Sequence, residues 1–135
     1  MKQTRICDCK KNVGQCKCKI MSFRELEKRT INWADTKEIL EKATPLTQIR
    51  KTLEEVEETE LAILKQQLGN TVFTTSKGNQ AFVDAEIKDG FGDILVTVLI
   101  GCAMQNLDPL QCLESALDII EKRTGKIING QFIKD

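Results

Sequence analysis

The chain has 135 residues, 41% of them apolar, and carries 20 basic against 20 acidic side chains for a formal net charge of zero. That is long enough for one domain with its own core, and the balance gives no global electrostatic case for nucleic-acid binding. Histidine is absent, which removes Ser-His-Asp and Cys-His catalysis and every imidazole metal site, and leaves acid–base work to carboxylates, lysines or metal-activated water.

Residues 1–21 read as a basic extension ahead of a domain at 22–135. Lys2, Arg5, Lys10, Lys11, Lys17 and Lys19 stand against Asp8 alone. Cys7, Cys9, Cys16 and Cys18 form two Cys-x-Cys pairs six residues apart, around a Val13-Gly14 turn. That symmetry suits a structural Zn²⁺ knuckle, although zinc pairs are usually spaced Cys-x-x-Cys; the alternative is a flexible tail with reduced thiols. Met21 also offers a second start. The segment lacks an apolar leader core, and the longest apolar stretch, Ile94–Met104, is too short for a bilayer. A soluble, cytoplasmic protein without a membrane partner is the expectation.

Ser22 predicts the N-cap of a helix running to Leu40, with Glu25 closing a capping box and Phe23, Leu26, Thr30 and Trp33 on its inner face. Trp33, the only tryptophan, suits the core, a pocket wall or a stacking surface for a base. Thr44-Pro45 opens a second helix whose apolar stripe is Leu46, Ile49, Leu53, Val56, Ile63 and Leu64. Glu60 interrupts that stripe. Residues 68–84 read as a long connection holding a short hairpin, with Lys77 within it.

A third helix runs from Asp84 to Met104 and becomes apolar all round beyond Asp93, where an unpaired carboxylate is costly. Asp108-Pro109 starts a fourth helix that is expected to bury Leu110, Leu113, Leu117 and Ile120 and to stop at Gly125, with Cys102 and Cys112 as small buried side chains. Lys122, Arg123 and Lys126 then group as candidates for phosphate oxygens, or as ordinary helix-end charge. Asn129-Gly130 between two β-prone runs signals a type I′ hairpin.

Two acidic stretches dominate this plan. Glu54, Glu55 and Glu58 share one side of the second helix, and Glu86, Asp89 and Asp93 recur at three and four along the third. Two such helices make an all-oxygen cage for a hard cation, and Mg²⁺ shares that kind of site with a substrate phosphate.

The order of Trp33-Ala34, Thr44-Pro45, KTLEEVEE, DGFGDILVTVL, LDPLQCLESAL and EKRTGKIINGQFIKD resembles the MazG-like nucleotide pyrophosphohydrolases, in the short single-domain form common in phage and bacterial genomes. The family's paired signatures are EExxE and ExxD. Residues 54–58 match the first; in the second, Asp93 matches the Asp, but Gly90 occupies the Glu position and Asp89 is the nearest substitute, with Glu86 as an extra.

The resemblance implies an all-α, four-helix bundle with a C-terminal hairpin, assembled as homodimers or homotetramers. It also implies hydrolysis of (deoxy)nucleoside triphosphates to monophosphate and pyrophosphate. Mg²⁺, with Mn²⁺ as a substitute, would be held by Glu55, Glu58, Asp89 and Asp93, so that an activated water attacks the α-phosphorus. Glu54 would position or deprotonate that water, and Lys122, Arg123 and Lys126 would bind pyrophosphate. Two other readings stay open. One is a regulator that binds nucleotide or metal without turnover. The other is an interaction module whose basic cysteine segment contacts nucleic acid.

Overall fold

Each long helix begins where the sequence supplies an oxygen or a proline for its first turn, or where a strand feeds directly into it. In the computed structural model, which describes residues 21–135, α1 (Phe23–Thr36) starts at Ser22. The Ser22 hydroxyl accepts from the Glu25 amide at 3.2 Å, and the Glu25 carboxylate accepts from the Ser22 amide at 2.7 Å. Thr44 and Thr47 exchange the same pair of bonds at the head of α3 (Pro45–Gln67). α4 (Val83–Met104) follows a strand, and the Asp108 carboxylate accepts the Leu110 amide at 2.9 Å to start α5 (Pro109–Ile120).

The first helix does not reach Leu40 as its pattern predicts. Glu38 turns into the left-handed region at φ 59°, ending α1 and leaving a separate single turn, α2 (Ile39–Lys42). The Glu38 amide donates to the Asp35 carbonyl at 2.9 Å, and its carboxylate pairs with Lys42. Together these hold a conformation that non-glycine residues rarely adopt.

Residues 68–84 contain the expected hairpin. β1 (Val72–Thr74) pairs antiparallel with β2 (Gln80–Phe82) across a turn in which Gly78 takes φ 81°. The Lys65 ammonium lies 3.7 Å from the centre of the Phe73 ring, tying β1 back to α3. At the C-terminus β3 (Gly125–Ile128) pairs with β4 (Gln131–Lys134), and Asn129 and Gly130 take φ 50° and 76°, the two positive values that a type I′ turn demands.

The centre of the fold is the antiparallel crossing of α3 and α4, with α1 laid against α4. It is made through small and polar residues. Gln48, Glu55, Thr59 and Ala62 are the buried residues of α3, and the Gln48 amide donates to the Thr97 carbonyl at 3.1 Å. Opposite them, a Cβ at Gly90 would fall 2.2 Å from the Thr59 hydroxyl oxygen, so only glycine permits this approach. Ala34, Ala62, Val83 and Ile100 form the buried apolar core among the described residues.

Several expectations are corrected here. The α3 stripe of Leu46, Ile49, Leu53, Val56 and Leu64 does not face the core; these side chains remain 42–61% exposed, because α3 is rotated to set its small and polar face on α4. The fourth helix does not close a bundle. α5 has no buried residue and packs broadly against no other described element, so Leu113, Leu117 and Ile120 stay open to solvent and Cys112 is exposed beside a half-buried Cys102. α5 also ends at Ile120 rather than at Gly125, which belongs to β3. The Arg24 guanidinium, 2.8 Å from the Asp108 carboxylate, ties the start of this C-terminal arm to α1. No helix among the described residues is long and apolar enough to cross a membrane.

The crossing makes a direct prediction. Gly90→Ala costs about 1–3 kcal/mol by forcing the helices apart. Gly92→Ala on the same helix, whose Cβ meets only open space, is neutral or gains up to about 1 kcal/mol. Urea unfolding of the two variants separates these outcomes.

Candidate functional site

The buried side of α3 brings a carboxylate into the crossing. Glu55 is 9% exposed and faces α4, one turn before Thr59, whose hydroxyl donates to the Glu55 carbonyl at 2.7 Å. Asp89 and Asp93 approach from α4. The Asp93 carboxyl is pushed above the usual carboxylate range, first by partial desolvation and then by the nearby charges of Glu55 and Asp89, with Lys51 opposing them.

Lys51 is the feature that the sequence reading passed over. Its ammonium lies 2.9 Å from the Glu54 carboxylate and 2.7 Å from that of Glu55, a bridge across two neighbouring acids. Those contacts raise its pKa well above the ordinary lysine value, chiefly through the hydrogen bonds to Glu54 and then Glu55. The signal was present as spacing, because a lysine three and four residues before two glutamates reaches both.

The other two carboxylates stand slightly apart. Glu58 and Glu86 line a groove of about 320 Å³ between α3, α4 and the β1–β2 hairpin, shared with Lys65, Phe73 and Thr74–Ser76. The six predicted acids therefore spread along one α3–α4 seam, with Glu55, Asp89 and Asp93 toward its middle and Glu58 and Glu86 under the hairpin. Glu54 lies on the open side of Glu55 and is the more exposed of the pair.

Trp33 is a pocket wall rather than core. At 48% exposed it lines a groove of about 600 Å³ with Leu26, Arg29, Thr30, Asn32, Asp93 and Val96. One carboxylate thus belongs both to the acidic seam and to the groove holding the only tryptophan. Arg29, one helical turn before Trp33, was also missed; it is the cation of this groove.

Lys122, Arg123 and Lys126 are not brought to the acids of their own chain. They are exposed, in the turn after α5 and on β3, and among the described residues they pair with no carboxylate. Lys77 is exposed in the β1–β2 turn. The predicted zinc ligands Cys7, Cys9, Cys16 and Cys18 lie outside the described residues.

The seam suits a hard divalent cation in the chemistry of its donors: all are carboxylates, and a lysine ammonium already stands in for positive charge between them. Among the described residues no three such side chains converge into a ready-made ligand set, so side-chain rotation would have to accompany binding. The Gly90 that departs from the ExxD pattern is explained by the close Thr59 contact, which leaves no room for a glutamate. Compared with known proteins, the chain matches no family model, no curated protein and no solved structure.

The Asp93 shift sets a pH dependence. A carboxyl whose folded pKa is raised contributes no penalty below the unfolded value of about 4, and its ionisation costs stability as pH climbs from there to the folded value. Asp93→Asn is therefore expected to raise the metal-free melting temperature at pH 7, with the gain vanishing below pH about 4. Thermal scans of both proteins across that range check it.

Proposed function

We propose that this chain hydrolyses (deoxy)nucleoside triphosphates to the monophosphate and pyrophosphate, with Mg²⁺ or Mn²⁺. The observation that carries this reading is that Asp93 lines the Trp33 groove and lies near enough to Glu55 and Asp89 along the α3–α4 seam to feel their charges. Glu55, Glu58, Asp89 and Asp93, with Glu86, are the residues that would hold the cation. When bound, the cation supplies neutralisation of the polyphosphate and acidification of a water.

The chain's own side chains account for the remaining steps. Trp33 offers a face for the base, and Arg29 and Asn32 edge the same groove. Glu54, solvent-accessible next to Glu55, takes the proton of the attacking water. The water oxygen bonds to the α-phosphorus, the bond to the bridging oxygen breaks, and pyrophosphate leaves with that electron pair. Lys122, Arg123 and Lys126 receive the pyrophosphate oxygens from a second copy, since they lie on an arm that does not return to its own seam.

The same reading makes the protein a homodimer or homotetramer. Its support is the outward α3 stripe together with Leu113, Leu117, Ile127, Ile128, Phe132 and Ile133 on the arm, all at least 41% exposed. Two apolar surfaces on one chain are self-complementary in a symmetric pair. The basic, cysteine-rich residues 1–20 offer few apolar side chains to cover them.

Two measurements test this. Pyrophosphate and monophosphate should appear in equal amounts from a panel of nucleoside triphosphates with Mg²⁺ and cease with EDTA, and Asp93→Asn should lose at least about a hundredfold. Orthophosphate as the product, or full turnover by Asp93→Asn, overturns the assignment. Sedimentation should give a dimer or tetramer that Leu117→Asp disperses; a monomeric wild type would remove the pyrophosphate role of the arm.

A further inference from the structure

The corner between α4 and α5 brings two thiols together. α4 ends in a Schellman turn: Asn106 takes the left-handed φ of 54°, the Leu107 amide donates to the Cys102 carbonyl at 2.9 Å, and the Asn106 amide donates to the Ala103 carbonyl at 3.2 Å. Asp108 then caps α5, whose first turn closes with the Cys112 amide on the Asp108 carbonyl at 3.0 Å. The chain thus reverses between Cys102, in the last turn of α4, and Cys112, in the first turn of α5. Their side chains share a hydrogen bond. Both are free thiols, Cys102 half-buried and Cys112 exposed. A free cysteine ordinarily serves as a small buried apolar side chain. Packing does not account for an exposed one that meets a second thiol.

We propose that Cys102 and Cys112 are a reversible dithiol–disulfide pair which, on oxidation by a small-molecule disulfide, staples the C-terminal arm to the end of α4. The exposed thiol reacts first. The Cys112 thiolate attacks one sulfur of the small disulfide, its S–S bond breaks, and one small thiolate leaves with the electron pair and takes up a proton. Cys102 then gives its proton to solvent and attacks the Cys112 sulfur, expelling the second small thiolate. Two protein thiols are oxidised by two electrons, and one small disulfide is reduced to two thiols. The division of labour follows from the surroundings. Burial, and then the neighbouring Cys112, push the Cys102 thiol up, so it is not the opening nucleophile; once deprotonated beside the mixed disulfide it is the stronger one. The staple has a mechanical purpose, because α5 packs broadly against no other described element and the base of its arm is otherwise tied by the exposed Arg24–Asp108 pair.

The test treats the folded full chain with oxidised glutathione, blocks the remaining thiols by alkylation and reads tryptic peptides by mass. No lysine or arginine lies between Lys88 and Lys122, so residues 89–122 leave as one peptide that holds Cys102 and Cys112 and none of Cys7, Cys9, Cys16 and Cys18. In wild type this peptide should become two hydrogens lighter and refuse alkylation, and dithiothreitol should reverse both changes. Cys102→Ser should stop at a glutathione adduct on Cys112. Cys112→Ser should acquire its adduct on Cys102 at least about tenfold more slowly, as the half-buried thiol is the poorer entry point. Oxidised wild type should melt about 5 °C above the reduced protein, a rise that Cys112→Ser lacks. A glutathione adduct that persists on wild-type Cys112, or a bond from either cysteine to another chain, overturns the proposal. A Cys102–Cys112 bond that leaves the melting temperature unchanged overturns the staple. If a serine variant fails to fold, the wild-type peptide and melting temperature decide alone. No nucleotide or metal enters the experiment, so this inference and the pyrophosphohydrolase reading stand or fall separately.

Discussion

The rest of the structure depends on how closely α3 and α4 approach. Helices that meet through leucines keep their axes about 8–10 Å apart, whereas small residues let them come nearer. Here Thr59 against Gly90 and Gln48 against the Thr97 carbonyl set the contact, and the buried amide fixes its register as well as its distance. A buried hydrogen bond of this sort is expensive to break without replacement, so the pair does not slide. The positions of the acidic side chains along both helices inherit that register.

The crossing also explains the electrostatics. Because α3 turns its small face inward, Glu55 is carried into the interface beside Asp93, and desolvation sharpens the repulsion between them. A protein that keeps like charges at such a contact needs something to offset them. Lys51 does so from within the chain, while the Asp93 carboxyl is still pushed up, first by desolvation and then by the charges of Glu55 and Asp89. The carboxylates are held in readiness for positive charge, which is the physical content of the metal-dependent hydrolase that we propose.

Local signals were read well from the residues. The Ser22, Thr44 and Asp108 caps and the Asn129-Gly130 turn depend on neighbours a few positions away, and each forms. Trp33 as a pocket wall was also legible, since one unusual residue in its local pattern suffices; the buried segment expected beyond Asp93 was not, for Asp93 itself is exposed and Leu95 and Val98 stay open to solvent. What failed was the inference from apolar periodicity to the core. Leu46, Ile49 and Leu53 form a regular stripe, but a stripe says only that a face is apolar, not whether it is covered by the same chain. Thr59 and Gly90 are separated by 30 positions and carry no pattern that announces their contact. The break at Glu38 was invisible because αL geometry in a glutamate runs against its propensity.

The rotation of α3 about its own axis has a consequence for which changes this chain can tolerate. Gln48, Glu55, Thr59 and Ala62 point to α4, Lys51 and Glu54 hold the charge bridge, and Leu46, Ile49, Leu53 and Val56 present the apolar surface. Almost no side of the helix is idle. Inserting or deleting a single residue turns everything beyond it by roughly 100°. Within Pro45–Gln67 such an event would drive a leucine toward Gly90, lift Glu55 into water and part Lys51 from its partners, all at once. In the Gly69–Asn79 connection the same event would alter only the length of a hairpin and its approach. Variation in length across natural relatives should therefore gather in that connection and in the turn after α5, and leave the phase of α3 untouched.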